Sequence, residues 1–360
     1  MRTRLLMTGN DAIGEGAIRA GCDCYYGYPI TPQNELTAYM ARHMPERGRV
    51  FIQAESELAA INMVFGSAAA GKRAMTSSSS PGISLKQEGI SYLAGCQLPA
   101  VIANIQRAGP GLGDITPSQA DYFQATKGGG HGDYRVIVLA PSSVQEMHDL
   151  TIKAFVLADR YRNPVMILAD GRLGQMMEPI YLYDKPAPKP PLKAWALTGA
   201  KDRPPNIMRS LYLVPGELEK LNKVLQEKYK TIEEKEVLFE ERSISDCEIL
   251  MVAYGTSARI CGGALKETRE HNIKAGIFRP ITLWPFPKTQ LRKLARNVKK
   301  ILVVEMSAGQ MLEDVQLAVN GTVEIDFLGR MGGAVPSPGE VFQRISSYVK
   351  QKSRRKKFHV

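Results

Sequence analysis

The chain has 360 residues of ordinary globular composition, 44% hydrophobic and 23% charged, a length that suggests two domains rather than one. No apolar run reaches the roughly 18–20 residues that cross a bilayer, and the N-terminus has no secretory-type stretch, so a cytoplasmic protein without a membrane partner is expected. The net charge is +11, and six of the positive side chains (Lys350, Lys352, Arg354, Arg355, Lys356, Lys357) fall in residues 350–360; with no helix-turn-helix or zinc spacing, this reads as a solvated tail, not a nucleic-acid surface.

In the first half, strands are predicted at 5–8, 24–28, 50–53, 74–77, 100–105, 136–139 and 165–169. Helical spacing lies between them at 32–43, 55–70, 83–94 and 144–161. Alternation of this kind makes a parallel sheet covered on both faces, with ligands at the carboxyl ends of its strands. From Glu178 to Pro205 prolines crowd the sequence, which predicts an extended connector. Residues 215–241 are rich in Glu, Lys and Leu and read as a charged, exposed helix. A second alternating block follows, with strands at 247–253, 275–278, 300–304 and 323–327 and helices at 258–270, 288–295, 310–318 and 339–350. The expected class is α/β: two three-layer domains with mainly parallel sheets, at 1–185 and 246–345. Residues 186–245 form a Pro-rich linker and charged helix between them, and 346–360 a basic tail.

Four loops at strand ends carry candidate chemistry. Glu57 opens a helix after the strand at 50–53, and Gly66 stands nine residues later. A carboxylate in a first helical turn can be no more than a favourable charge at the positive end of the dipole. Glu55 is the second choice, without that spacing. Tyr28-Pro29-Ile30-Thr31-Pro32 is a proline-fixed loop in which Thr31 could present a hydroxyl or simply cap the next helix. Arg107, in Gln106-Arg107-Ala108-Gly109-Pro110-Gly111, ends an apolar strand, where a guanidinium can hold a carboxylate with two parallel hydrogen bonds. Thr76 to Gly82 is serine-rich and lacks the Gly-Lys-Ser/Thr of a P-loop. His131 and Asp133 could be acid–base groups, although the glycines around them favour a tight structural loop. The five cysteines, Cys22, Cys24, Cys96, Cys247 and Cys261, include no C-x-x-C pair, which argues against a zinc or iron–sulfur site on this chain.

Taken together, Glu57 with Gly66, the Tyr28–Pro32 string and Arg107 resemble the 2-oxoacid:ferredoxin oxidoreductases, over most of the chain. The resemblance implies a thiamine diphosphate pyrimidine-binding domain followed by a domain like the C-terminal one of transketolase. It implies that Glu57 hydrogen-bonds the aminopyrimidine and that Pro29, Ile30, Ser78 and Ser79 lie against the cofactor. Thr31 and Arg107 would bind the substrate carboxylate. No Gly-Asp-Gly occurs, since Tyr134 follows Asp133, and no metal ligand is expected here. The resemblance therefore implies an alpha subunit whose beta partner holds Mg²⁺ and the diphosphate. Iron–sulfur clusters would sit on partners only, with gamma and ferredoxin-like delta subunits in the complex. The implied reaction converts a 2-oxoacid and coenzyme A to acyl-CoA and CO₂ with electrons to ferredoxin. The 2-oxoisovalerate (3-methyl-2-oxobutanoate) group is the most similar. Pyruvate, 2-oxoglutarate and aryl 2-oxoacids stay open as substrates, as does a non-catalytic scaffold of this fold.

Overall fold

The structure, a computed structural model, describes residues 2–183 and 189–357, with side chains from residue 3 to 182 and from 189 to 349. Pro186, Pro188, the expected 185/186 boundary and the basic side chains from Lys350 onward lie outside what it describes. Its elements run β1 (Arg2–Thr8), α1 (Gly9–Arg19), β2 (Cys24–Gly27), α2 (Asn34–His43), β3 (Val50–Gln53), α3 (Glu57–Ala69), β4 (Ala74–Ser78), α4 (Ser80–Gly95) and β5 (Ala100–Ala108). Then come β6 (Asp114–Pro117), α5 (Tyr122–Thr126), β7 (Ile137–Leu139), α6 (Val144–Tyr161), β8 (Pro164–Asp170), α7 (Gly171–Gln175), β9 (Met177–Tyr183) and α8 (Glu217–Lys235). The remainder is β10 (Phe239–Arg242), β11 (Ile249–Val252), α9 (Gly255–Glu270), β12 (Ala275–Pro280), β13 (Thr282–Trp284), α10 (Lys288–Ala295), β14 (Lys300–Glu305), α11 (Gln310–Val319), β15 (Ile325–Gly329) and α12 (Pro338–Lys357).

The larger sheet has the order β13-β7-β8-β5-β4-β2-β3, with β6 added on β5. From β7 to β3 every neighbouring pair is parallel. Every residue of β4, β5 and β8 is buried, as a sheet covered on both faces requires. The smaller sheet has the order β10-β12-β11-β14-β15, parallel except for β10. No helix among the described residues is long and apolar enough to cross a membrane.

Several local expectations change. The first strand stays out of the large sheet and pairs antiparallel with β9, a strand inside the stretch expected to be a connector. Its Arg4, Leu5 and Leu6 are exposed, a pattern that suits an outer ribbon and not a strand buried on both faces. The charged helix stops at Lys235, and Phe239 opens β10 of the smaller sheet, where it stacks on Phe278 at 5.5 Å. It is also not wholly exposed: Leu225, Tyr229 and Ile232 are buried. Finally, β13, expected as loop, joins β7 antiparallel at the edge of the large sheet. The closing helix runs on to Lys357, beyond the expected end at 350.

The two sheets share a polar seam. Gln119 donates to Tyr254 O at 2.9 Å, while its Oε1 accepts from Ser257 Oγ at 2.7 Å and Met306 N at 2.9 Å. Tyr122 donates to Asp314 at 2.6 Å and Thr256 to Asp170 at 2.9 Å. Arg279 of β12 is buried and holds Glu146 of α6 through two hydrogen bonds, 2.6 and 2.9 Å, and Glu240 of β10 through a third at 2.7 Å. Residues 189–216 lie against the first half. Lys193 joins the buried Arg73–Asp159 pair, and the Leu197 amide donates to Ala69 O at 2.8 Å.

Candidate active site

The candidate residues gather at the carboxyl edge of the large parallel sheet, where βα loops leave room for a ligand. After β3, Ser56 caps α3 in extended geometry, its hydroxyl accepting from the Ala59 amide at 3.1 Å, an arrangement worth about 1 kcal/mol. Glu57 is therefore the first helical residue and not the cap. It is 6% exposed, whereas Glu55 is exposed. Its carboxylate lies over Gly82 of α4: a Cβ there would stand 2.5 Å from Glu57 Oε1 and would also collide with Ser78 Oγ. Only glycine permits this approach.

The serine loop ends β4 and starts α4. Ser79 occupies the N-cap of α4 without capping it, and its hydroxyl, like those of Thr76 and Ser78, is buried with no partner. Gln87 Nε2 and Asn104 Oδ1 are in the same condition. Buried polar atoms left unpaired are costly, and a cluster of them calls for a partner such as an ordered water, an ion or a ligand. The N-terminal amides of a 16-residue helix add a positive end at the same place.

Arg107 is the last residue but one of β5 and is 7% exposed. It donates to Thr31 O at 3.0 Å through Nη1 and to Leu112 O at 2.9 Å through Nη2, and its Nε is buried without a partner. Thr31 is half-buried, and α2 begins only at Asn34 with Gln33 at its N-cap, so Thr31 does not cap that helix. Its Oγ1 accepts from Asn34 Nδ2 at 3.3 Å. Pro29 is exposed and Ile30 half-buried on the same loop. Ser80 ties the loops together, its hydroxyl accepting from the Arg107 amide at 3.1 Å and giving its one proton to Asp121 Oδ2 at 2.6 Å.

A cavity of about 420 Å³ opens beside Arg107, lined by Ser80 and Asp121 and, from the second half, by Met306, Ser307, Gln310 and Met331. Burial pushes the Asp121 carboxyl up, against hydrogen bonds from Ser80 at 2.6 Å and Asn104 at 2.8 Å that pull it down. The sequence gives no local sign of this wall, because it forms only where the halves meet. His131 and Asp133 are exposed, on a loop held against α4 by Tyr134, whose hydroxyl accepts from the Gly130 amide at 2.9 Å. They stand apart from that cavity. Cys22 and Cys24 are buried, with the Cys22 thiol donating to Cys24 O.

The same layered arrangement occurs in a split gene transketolase, at a TM-score of 0.60 over 95% of this chain and 97% of that one; at 14% identity this establishes a shared fold. Residues 15–233 match the family described as pyruvate flavodoxin/ferredoxin oxidoreductase, thiamine diphosphate-binding, and residues 247–341 match pyruvate:ferredoxin oxidoreductase core domain II. The chain belongs to this family, the 2-oxoacid:ferredoxin oxidoreductases, as one of its subunits. The ketoisovalerate oxidoreductase subunit VorB of Methanothermobacter marburgensis is 53% identical over 94% of this chain and 96% of the relative. The 2-oxoglutarate synthase subunit KorA of Archaeoglobus fulgidus is 39% identical over 86% of this chain and 90% of its own length. A 2-oxoglutarate:ferredoxin oxidoreductase from Magnetococcus marinus, solved with 2-oxoglutarate, coenzyme A and succinyl-CoA, matches at a TM-score of 0.84 and 26% identity. This chain is covered to 96% in that match and spans 65% of the length of the other.

Proposed function

We propose that this chain is the alpha subunit of a cytoplasmic enzyme that converts 2-oxoisovalerate (3-methyl-2-oxobutanoate) and coenzyme A to acyl-CoA and CO₂, with electrons passing to ferredoxin. One observation carries the site: Glu57 packed on Gly82, beside buried hydroxyls without partners and an arginine whose Nε is free. The choice of substrate rests on the 53% identity to the ketoisovalerate subunit, against 37–39% for the 2-oxoglutarate synthase subunits.

The donor set suits thiamine diphosphate. When bound, the cofactor supplies the electron sink that lets a 2-oxoacid lose CO₂. Glu57 would hold and exchange a proton with the pyrimidine ring, shielded from water by α4. Ser78 and Ser79 would give their free hydroxyls to the cofactor, and Pro29 and Ile30 would wall it. Arg107 would grip the substrate carboxylate with its free Nε–H and the donors not committed to Thr31 and Leu112, with the Thr31 hydroxyl alongside. The Mg²⁺ and diphosphate end would fall to a beta subunit, since this sequence has no Gly-Asp-Gly. Iron–sulfur clusters would sit on the partners, including gamma and ferredoxin-like delta subunits. In this reading, residues 1–185 are the pyrimidine domain and 186–245 the connecting segment. Residues 246–345 are the transketolase-like C-terminal domain and 346–360 a basic extension.

The test is purification of the native complex, assay of thiamine diphosphate and iron, and coenzyme A-dependent reduction of a viologen dye with a panel of 2-oxoacids. Highest kcat/KM on 2-oxoisovalerate is expected. Preference for 2-oxoglutarate or pyruvate would move the substrate within the family, and no activity on any 2-oxoacid would make the chain a scaffold. In the same assay Arg107→Lys should raise KM about 10- to 100-fold with a smaller change in kcat. A point charge replaces a planar fork, and a charge-assisted hydrogen bond is worth roughly 1.5–3 kcal/mol.

A further inference from the structure

Gly82, Lys86 and Gly89 fall on one face of α4, four and three residues apart. That face meets α3. Gly82 receives the Glu57 side chain, and at Gly89 a Cβ would lie 2.6 Å from Ile61 Cγ1. The two glycines draw the helices together, and the Lys86 side chain is enclosed between them at 0% exposure. Its ammonium donates to Glu57 O at a long 3.4 Å. Lysine is almost never fully buried unless paired, and an apolar side chain would fill this space without desolvating a charge. The lysine therefore stands there against the interests of packing.

We propose that Lys86 is the positioning residue for Glu57, an ammonium sealed between α3 and α4 that fixes the first turn of α3 and provides the counter-charge for the Glu57 carboxylate where water is excluded. The proposal rests on the reading of Glu57 as the pyrimidine's partner. The charges around Lys86 are few. Glu57 of α3 is the charged group acting on it, while Glu88 on its own helix turns outward to Tyr92, and His131 and Asp133 of the loop on α4 are exposed. Burial pulls the ammonium down to about 8, with Glu57 pulling the other way. Below that pH the counter-charge is present; as pH rises through it the charge is lost, and with it the support for the carboxylate.

The experiment compares wild type, Lys86→Met and Glu57→Gln in the complex assembled with its partner subunits, measuring kcat, KM and their pH dependence together with thermal unfolding. Wild type should lose activity on the alkaline side with a midpoint near pH 8. Lys86→Met should cut kcat about tenfold at neutral pH, a modest loss for a reacting group whose support has been removed, since a misplacement of about 1 Å can cost about 10²-fold. It should leave KM for the 2-oxoacid nearly unchanged, abolish the alkaline limb, and keep or raise Tm, since a desolvated charge has been removed. Wild-type kcat with an unchanged pH profile overturns the proposal, and so does a loss of activity that follows a loss of Tm. An active Glu57→Gln enzyme would instead remove the Glu57 reading beneath it.

Discussion

Glu57→Gln should lower kcat by about 10²–10⁴, the range that a positioned acid–base group contributes, while Tm stays close to wild type. Glutamine keeps the volume that packs against Gly82 and keeps the Ser56 cap of α3, so the helix pair has no reason to move. What it removes is the exchangeable proton. The loss should appear in kcat and kcat/KM equally, because Arg107 and Thr31 lie on other loops and would still bind substrate. Turnover within a few-fold of wild type would leave this carboxyl without a chemical role.

Arg279→Ala should produce the largest loss of stability. Arg279 is 3% exposed and holds carboxylates from two different elements, Glu146 on α6 and Glu240 on β10. Breaking a buried pair costs about 3–5 kcal/mol; both carboxylates here reach some solvent, so about 3 kcal/mol is expected, read as a fall of several degrees in Tm. The pH dependence gives a second check. Burial pushes the Glu240 carboxyl up, but hydrogen bonds and charge from Arg242 and Arg279 outweigh it and hold the group below its usual value. A depressed carboxyl contributes stability above its unfolded pKa and loses it as pH falls through the folded one. Wild type and variant should therefore differ most near neutrality and converge in acid. A constant gap down to acid pH would show that lost packing, and not the ion pairs, is responsible.

The parts of the site that could be read from sequence were those following a strand. Glu57, Thr31, Ser78, Ser79 and Arg107 all stand at or just beyond the carboxyl end of an apolar run, and strand ends in an alternating pattern locate ligands. Lys86 could not be read this way. In Leu85-Lys86-Gln87-Glu88 it has the texture of an exposed helix face, and only the flanking glycines hint that the face is closed. Asp121 and the 306–310 and 331–332 segments were also illegible, because each becomes part of a wall only by meeting the other half. The first helix was missed for a related reason. Gly9, Gly14 and Gly16 lower its propensity, yet they let it pack tightly: a Cβ at Gly16 would lie 2.5 Å from His148 O.

The short strand β13 has a consequence for synthesis. It caps β7 at the edge of the large sheet, and it comes from far along the chain, after α9 and β12. While the chain emerges from the ribosome, the first half can assemble its sheet long before residues 282–284 exist. Throughout that interval β7 offers unpaired amides and carbonyls beside the apolar run Ile137–Leu139, which is a template for association with other nascent chains. Fragments ending before Thr282 should accordingly be recovered as aggregates, even though they contain every candidate catalytic residue.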